Sequence, residues 1–230
     1  MLREFLFPRR CPVCDNIVKP FGRLCCDACR KNLVYIGERH CVKCGKGLSN
    51  GVQAFCKECI EHPKSFTRGR SLYRYESIAG GVFGLKYLER AEYADFFGIE
   101  MNRHLREFIR QTKVQAIIPV PLHPKRLRER GYNQSTLLAK ALSKHCKIPC
   151  REDVVVRAKH TVPQKNLNYL ERQNNLKKAF KLYRNDVKLE RVMIVDDIYT
   201  TGSTVDALSK VLLEGGIKEV YVLTLATGVE

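Results

Sequence analysis

Residues Val192 to Thr204 read Val-Met-Ile-Val-Asp-Asp-Ile-Tyr-Thr-Thr-Gly-Ser-Thr. Four apolar residues form a run suited to a buried strand. The run ends on two adjacent acids, Asp196 and Asp197. A turn rich in hydroxyls follows, and a helix is expected to begin near Ser203 or Thr204. Helix-start amides and the positive end of the helix dipole make an anion site. Gly202 lets the backbone come close to a phosphate. Thr200, Thr201, Ser203 and Thr204 add hydroxyl donors. The two aspartates repel phosphate but accept hydrogen bonds from sugar hydroxyls. Phosphate on one side and a diol on the other describe a ribose 5-phosphate.

Outward from this stretch, strand-like and helix-like segments alternate. Ser71–Tyr75, Val114–Val120, Asp153–Val156, Arg191–Val195 and Glu219–Leu225 read as strands. Glu92–Arg110 carries an apolar helical stripe. Asn133 caps a second helix with Leu137, Leu138, Ala141 and Leu142 inward, and Thr204–Leu213 is a third, stopped by Gly215-Gly216. Such alternation implies an α/β fold, a mainly parallel sheet with helices on both faces. Ligands in such sheets sit beyond the carboxyl ends of the strands.

The first quarter of the chain is different. Cys11, Cys14, Cys26 and Cys29 follow C-x2-C-x11-C-x2-C, and Cys41, Cys44, Cys56 and Cys59 repeat it at an offset of 30 residues. Two tight turns, each with two thiolates, give the four sulfurs of a closed structural Zn2+ site. Two such sites are expected, and four sulfurs per site argue against zinc catalysis. In the Cys25-Cys26 doublet only Cys26 keeps the repeat spacing. After Pro63 the cysteine rhythm stops, so residues 1–63 are read as a double zinc-ribbon module with four cysteines per ribbon, and 64–230 as the second domain.

Charge is lopsided: 41 Lys and Arg against 24 Asp and Glu, a formal net charge of +17. Such an excess favours polyanionic partners, nucleic acid foremost. Lys125, Arg126, Arg128 and Arg130 form one cluster, and Lys159, Lys165 and Arg172 belong to a second. Cations with scattered aromatics fit single-stranded DNA. No run approaches the roughly 18–20 apolar residues of a spanning helix, and Met1–Arg10 lacks a signal-peptide pattern. A cytoplasmic protein is expected.

The stretch Val192–Thr204 resembles the phosphoribosyl pyrophosphate loop of type I phosphoribosyltransferases. The wider pattern is similar to the ComF (ComFC-type) competence family: CPVC, CVKCG, LKY at Leu85–Tyr87, PVPLHPKRLRERGYNQ at Pro119–Gln134, Pro163-Gln164 and VDDIYTTGST. The resemblance implies a type I phosphoribosyltransferase fold in which Asp196 and Asp197 hold ribose hydroxyls. It implies that Thr200, Thr201, Gly202, Ser203 and Thr204 wrap the 5-phosphate, and that Pro121, Leu122 and His123 face the pyrophosphate. Arg157–Arg172 is then a flap over the site, and Mg2+ rides on the pyrophosphate. It also implies a part in natural transformation and the handling of single-stranded DNA, with other DNA-uptake proteins as partners. No residue is marked as a catalytic base. A metabolic phosphoribosyltransferase and a non-enzymatic ligand sensor are the rival readings.

Overall fold

A computed structural model of the chain describes residues 8–20, 22–49, 53–158, 179–184 and 188–229. Along it run α1 (Asp27–Lys31), α2 (Lys57–Glu61), β1 (Arg68–Arg74), α3 (Tyr75–Tyr87), α4 (Tyr93–Thr112), β2 (Ala116–Pro119) and α5 (Pro124–Arg130). There follow α6 (Gln134–Cys146), β3 (Val155–Arg157), β4 (Phe180–Leu182), β5 (Arg191–Tyr199), α7 (Ser203–Glu214) and β6 (Glu219–Thr227).

The main sheet has the order β1-β6-β5-β2, and every pairing in it is parallel. Its apolar runs are explained by burial on both faces. Met193 and Val195 join Tyr221, Leu223 and Leu225 in one core, with α4 and α6. Val192 and Ile194 join Val220 and Val222 in the other, with Leu208 and Leu212 of α7. The period of two along each strand thus sorts side chains between two cores. β3 and β4 form a separate antiparallel pair on the α7 side.

The strand expected at Arg191–Val195 runs on to Tyr199, because its pairing with β6 continues from Asp196 opposite Thr224 to Tyr199 opposite Thr227. The acids therefore lie within the strand rather than after it. The short α1 and α2 of the cysteine repeats were not expected, nor were two helices of the second domain. α3 carries Gly80, Gly81 and Gly84, poor helix formers; Gly81 is required there because a Cβ would run into the Pro12 carbonyl. α5 has a proline start and a polar surface without an apolar stripe.

The cysteine repeats straddle the sheet. Cys11, Val18, Cys25 and Leu33 belong to the core that holds α4 and α6. Cys41, Cys44, Cys56, Cys59 and Phe66 belong to the core that holds α7. Between the repeats, Ile36 N–H donates to the Leu72 carbonyl at 2.8 Å and Arg74 N–H to that of Val34 at 2.8 Å. This antiparallel contact covers the edge of β1, which would otherwise present open hydrogen-bonding groups. Glu100 of α4, only 1% exposed, ties the first repeat down. It accepts from Arg30 at 2.9 Å and from the Tyr35 hydroxyl at 2.7 Å. Among the described residues, no helix is long and apolar enough to cross a membrane.

Candidate functional site

The carboxyl end of β2 makes an edge beside the centre of β5, where Val120 N–H donates to the Val195 carbonyl at 3.0 Å. Asp196 and Asp197 sit at this edge, 9% and 5% exposed. Asp196 accepts from the Ser135 hydroxyl at 2.8 Å and from the Asp197 N–H at 2.9 Å. Burial, and after it the charge of Asp197, push the Asp196 carboxyl up to about 7. The Ser135 hydrogen bond works in the opposite direction. Asp197 is ion-paired with Lys86, whose side chain reaches in from the end of α3.

Beyond the acids the chain turns at Thr200–Gly202 and enters α7. Gly202 is the N-cap, with φ +74°. It has no side chain to satisfy the first amides of the helix, which leaves them suited to an outside anion. Its conformation is left-handed, and a Cβ would strike the Tyr199 hydroxyl, so glycine is needed twice over. The Thr201 and Ser203 hydroxyls share a hydrogen bond of 2.8 Å. Thr200 is exposed, while Thr201 and Thr204 are half-buried. Asp206, one turn into α7, accepts from the Ser65 N–H at 2.5 Å and pairs with Lys210 at 3.0 Å. That anchors the start of the helix to the segment following the second cysteine repeat.

Pro121, Leu122 and His123, all half-buried, follow β2 at the same end of the sheet. His123 caps α5 by accepting from the Lys125 N–H at 3.2 Å. Asn133 caps α6, and its amide donates to the Val120 carbonyl at 2.9 Å, pinning the loop. The Tyr132 hydroxyl donates to the Leu85 carbonyl at 2.9 Å, so the same motif also holds the helix that delivers Lys86. Lys125 and Arg128 are exposed on α5, and Arg126 and Arg130 half-buried. Arg126 is close enough to Arg157, at the end of β3, that burial and the Arg126 charge lower the Arg157 value, with Asp196 opposing. The acids thus face Lys86 directly and Arg157 at longer range.

Each cysteine quartet expected from spacing is gathered in space, with its four sulfurs within 4.8 Å of one another. Cys26, not Cys25, belongs to the first. Cys25 is buried beside it, its sulfur 3.7 Å from that of Cys11. A compact set of four thiolates fits Zn2+ in a closed structural site. Cys14 of the first quartet is exposed, whereas all four ligands of the second are buried. Tyr199 lies between the second quartet and the turn. Its ring packs edge-on to Phe66 at 6.5 Å, and its hydroxyl is under Gly202 and beside Cys44.

Lys86 and Ser135 were not among the residues singled out from sequence as binding residues. The LKY triplet left the direction of Lys86 open, and Ser135 carried no signal apart from its place directly after the long central motif. Lys159, Lys165, Arg172 and the Pro163-Gln164 pair lie outside the described residues, as does nearly all of the Arg157–Arg172 flap.

Residues 2–60 match the family model of the double zinc ribbon domain, so the two quartets are structural zinc sites of that kind. Competence protein F of Haemophilus influenzae is 33% identical over 237 residues, covering 98% of this chain and 99% of the relative. DNA utilization protein YhgH of Escherichia coli is 31% identical over 189 residues, 80% of this chain and 82% of that protein. Competence protein ComFC of Bacillus subtilis is 27% identical over 215 residues, 87% of this chain and 82% of its own. Such identity, sustained along almost the whole of both chains, makes this protein a member of the family of Competence protein F and ComFC.

Proposed function

We propose that this protein acts in competence and DNA uptake, binding a phosphoribosyl pyrophosphate-like ligand between β5 and α7 and single-stranded DNA along its basic surface. The observation that supports the ligand most is one juxtaposition. A buried aspartate pair in the second half of a central parallel strand is followed, after Ile198, Tyr199 and a glycine turn, by a helix start without a side-chain cap. Carboxylates accept from hydroxyls and helix-start amides donate to phosphate, the two chemistries that a phosphorylated pentose presents. The loop Pro121–His123, with Arg126 and Arg157 nearby, supplies the side on which a pyrophosphate would lie, with Mg2+ riding on it. The names of the relatives support the wider role: two are called competence proteins, and others DNA utilization proteins.

Calorimetry with phosphoribosyl pyrophosphate and Mg2+, without and with an oligonucleotide, tests both halves. Saturable binding is expected in the wild type and none in the Asp196→Asn, Asp197→Asn variant, with zinc content retained. Unchanged affinity in that variant would refute the site. A second reading, transfer of the phosphoribosyl group to a base or amine, is favoured by the Asp196 value near 7, suited to moving a proton at neutral pH. Pyrophosphate release with one acceptor would establish it; tight binding without release would point to a sensor.

A further inference from the structure

The helix that delivers Lys86 to Asp197 carries an exposed aromatic face. α3 buries Ile78, Val82 and Leu85, yet Phe83 is 53% exposed and Tyr87 58%. Four residues apart, they stand on the same side of the helix. Their ring centroids are 5.1 Å apart, at an interplanar angle of 46°. The Arg130 guanidinium lies 5.5 Å from the Tyr87 centroid, and a hydrogen bond to Gln134 holds it there. The remaining cations of α5, Lys125, Arg126 and Arg128, extend from this point against the single acid Glu129.

We propose that Phe83 and Tyr87, with Arg130, form a stacking platform for unpaired bases of single-stranded nucleic acid, whose phosphates run along α5. This assignment rests on the single-stranded DNA reading above and gives it a location. Two exposed rings on one helix face are costly to hydrate, and a guanidinium over one of them adds a cation–π edge. A base offers the flat apolar face that such rings accept, and its backbone supplies the anions for α5. In a duplex those faces are already stacked, so single strands are preferred. Because Lys86 leaves the same turn of α3 for Asp197, the strand would pass the mouth of the phosphoribosyl site.

The test uses the full zinc-loaded chain and two probes, a labelled oligothymidylate and an abasic oligonucleotide of equal length. Phe83→Leu with Tyr87→Leu keeps apolar surface and removes both rings. It should weaken oligothymidylate binding about tenfold or more for each lost stack, while leaving abasic affinity and the salt slope unchanged. The protein has no tryptophan, so Tyr87→Trp introduces a sole reporter, which also serves if the double variant fails to fold. Its emission should be quenched by oligothymidylate and not by the abasic strand. Equal oligothymidylate affinity in the leucine variant, or an unquenched reporter, would overturn the platform while leaving DNA binding in place. Loss of self-association in that variant, with DNA affinity intact, would give the patch to a protein interface and overturn it too. If the wild type binds neither probe, the single-stranded DNA reading itself fails.

Discussion

Asp196 carries a carboxyl displaced far from its ordinary range. Its carboxyl is buried beside a second aspartate and lifted to about 7, above the roughly 3.9 of an unfolded chain. Between those values the unfolded chain binds fewer protons than the folded one. Stability should therefore fall as pH rises from about 4 to about 7, by up to about 1.4 kcal/mol per pH unit, and level off above. Urea titrations across that range should show the slope in the wild type and its loss in Asp196→Asn. Lys86 is the counterpart. Replacing it with Met leaves Asp197 buried without its cation, and breaking such a pair costs about 3 kcal/mol. Urea midpoints should show that loss, with most of it recovered in the Lys86→Met, Asp197→Asn double variant; no recovery would mean that Lys86 acts by packing alone. The acids themselves were legible in sequence as an uncommon ending to an apolar run. Lys86 and Ser135 were not, because each reaches the acids from an element distant in the chain.

At the scale of elements, the two zinc ribbons differ in what rests on them. The first exposes Cys14, whereas the second has all four ligands buried and backs onto Phe66 and Tyr199 beneath Gly202. A chelator should therefore remove metal in two phases, the first ribbon losing its zinc faster, as followed with a colorimetric zinc indicator. Phosphoribosyl pyrophosphate affinity should survive the first phase and collapse in the second, because the turn then loses the packing under Tyr199. Simultaneous release would show that burial does not set the order. The cysteine spacing made both quartets readable before any fold was known, since metal ligands need fixed local turns. It gave no sign that the ribbons would occupy opposite cores.

For the whole molecule, the surplus of 17 positive charges sets how it meets a polyanion. Binding to single-stranded DNA should weaken linearly in log salt, by about 0.7 per phosphate neutralised. Arg126→Gln with Arg128→Gln should flatten that slope by about 1.4, two contacts' worth, as measured by anisotropy over a potassium chloride series. An unchanged slope would remove α5 from the contact. The glutamate latch works at the same scale: Arg30, Tyr35 and Tyr73 all donate to Glu100, so one buried carboxylate joins the first ribbon, the β1 edge and α4.

Periodicity along the chain, the thirty-residue cysteine offset and the acid-acid-hydroxyl-glycine order were enough to specify a parallel α/β sheet, two tetrathiolate sites and the turn that opens α7. Those features are local: repeat, ligand spacing and cap chemistry all operate within a few residues. Only the folded chain decided that Lys86 neutralises Asp197, that Ser135 steadies Asp196, that α3 turns two rings to solvent beside Arg130, and that each ribbon seals one face of the sheet. These depend on groups far apart in sequence coming within a few ångströms, where burial strengthens every charge and hydrogen bond, and no pattern along the chain encodes that distance.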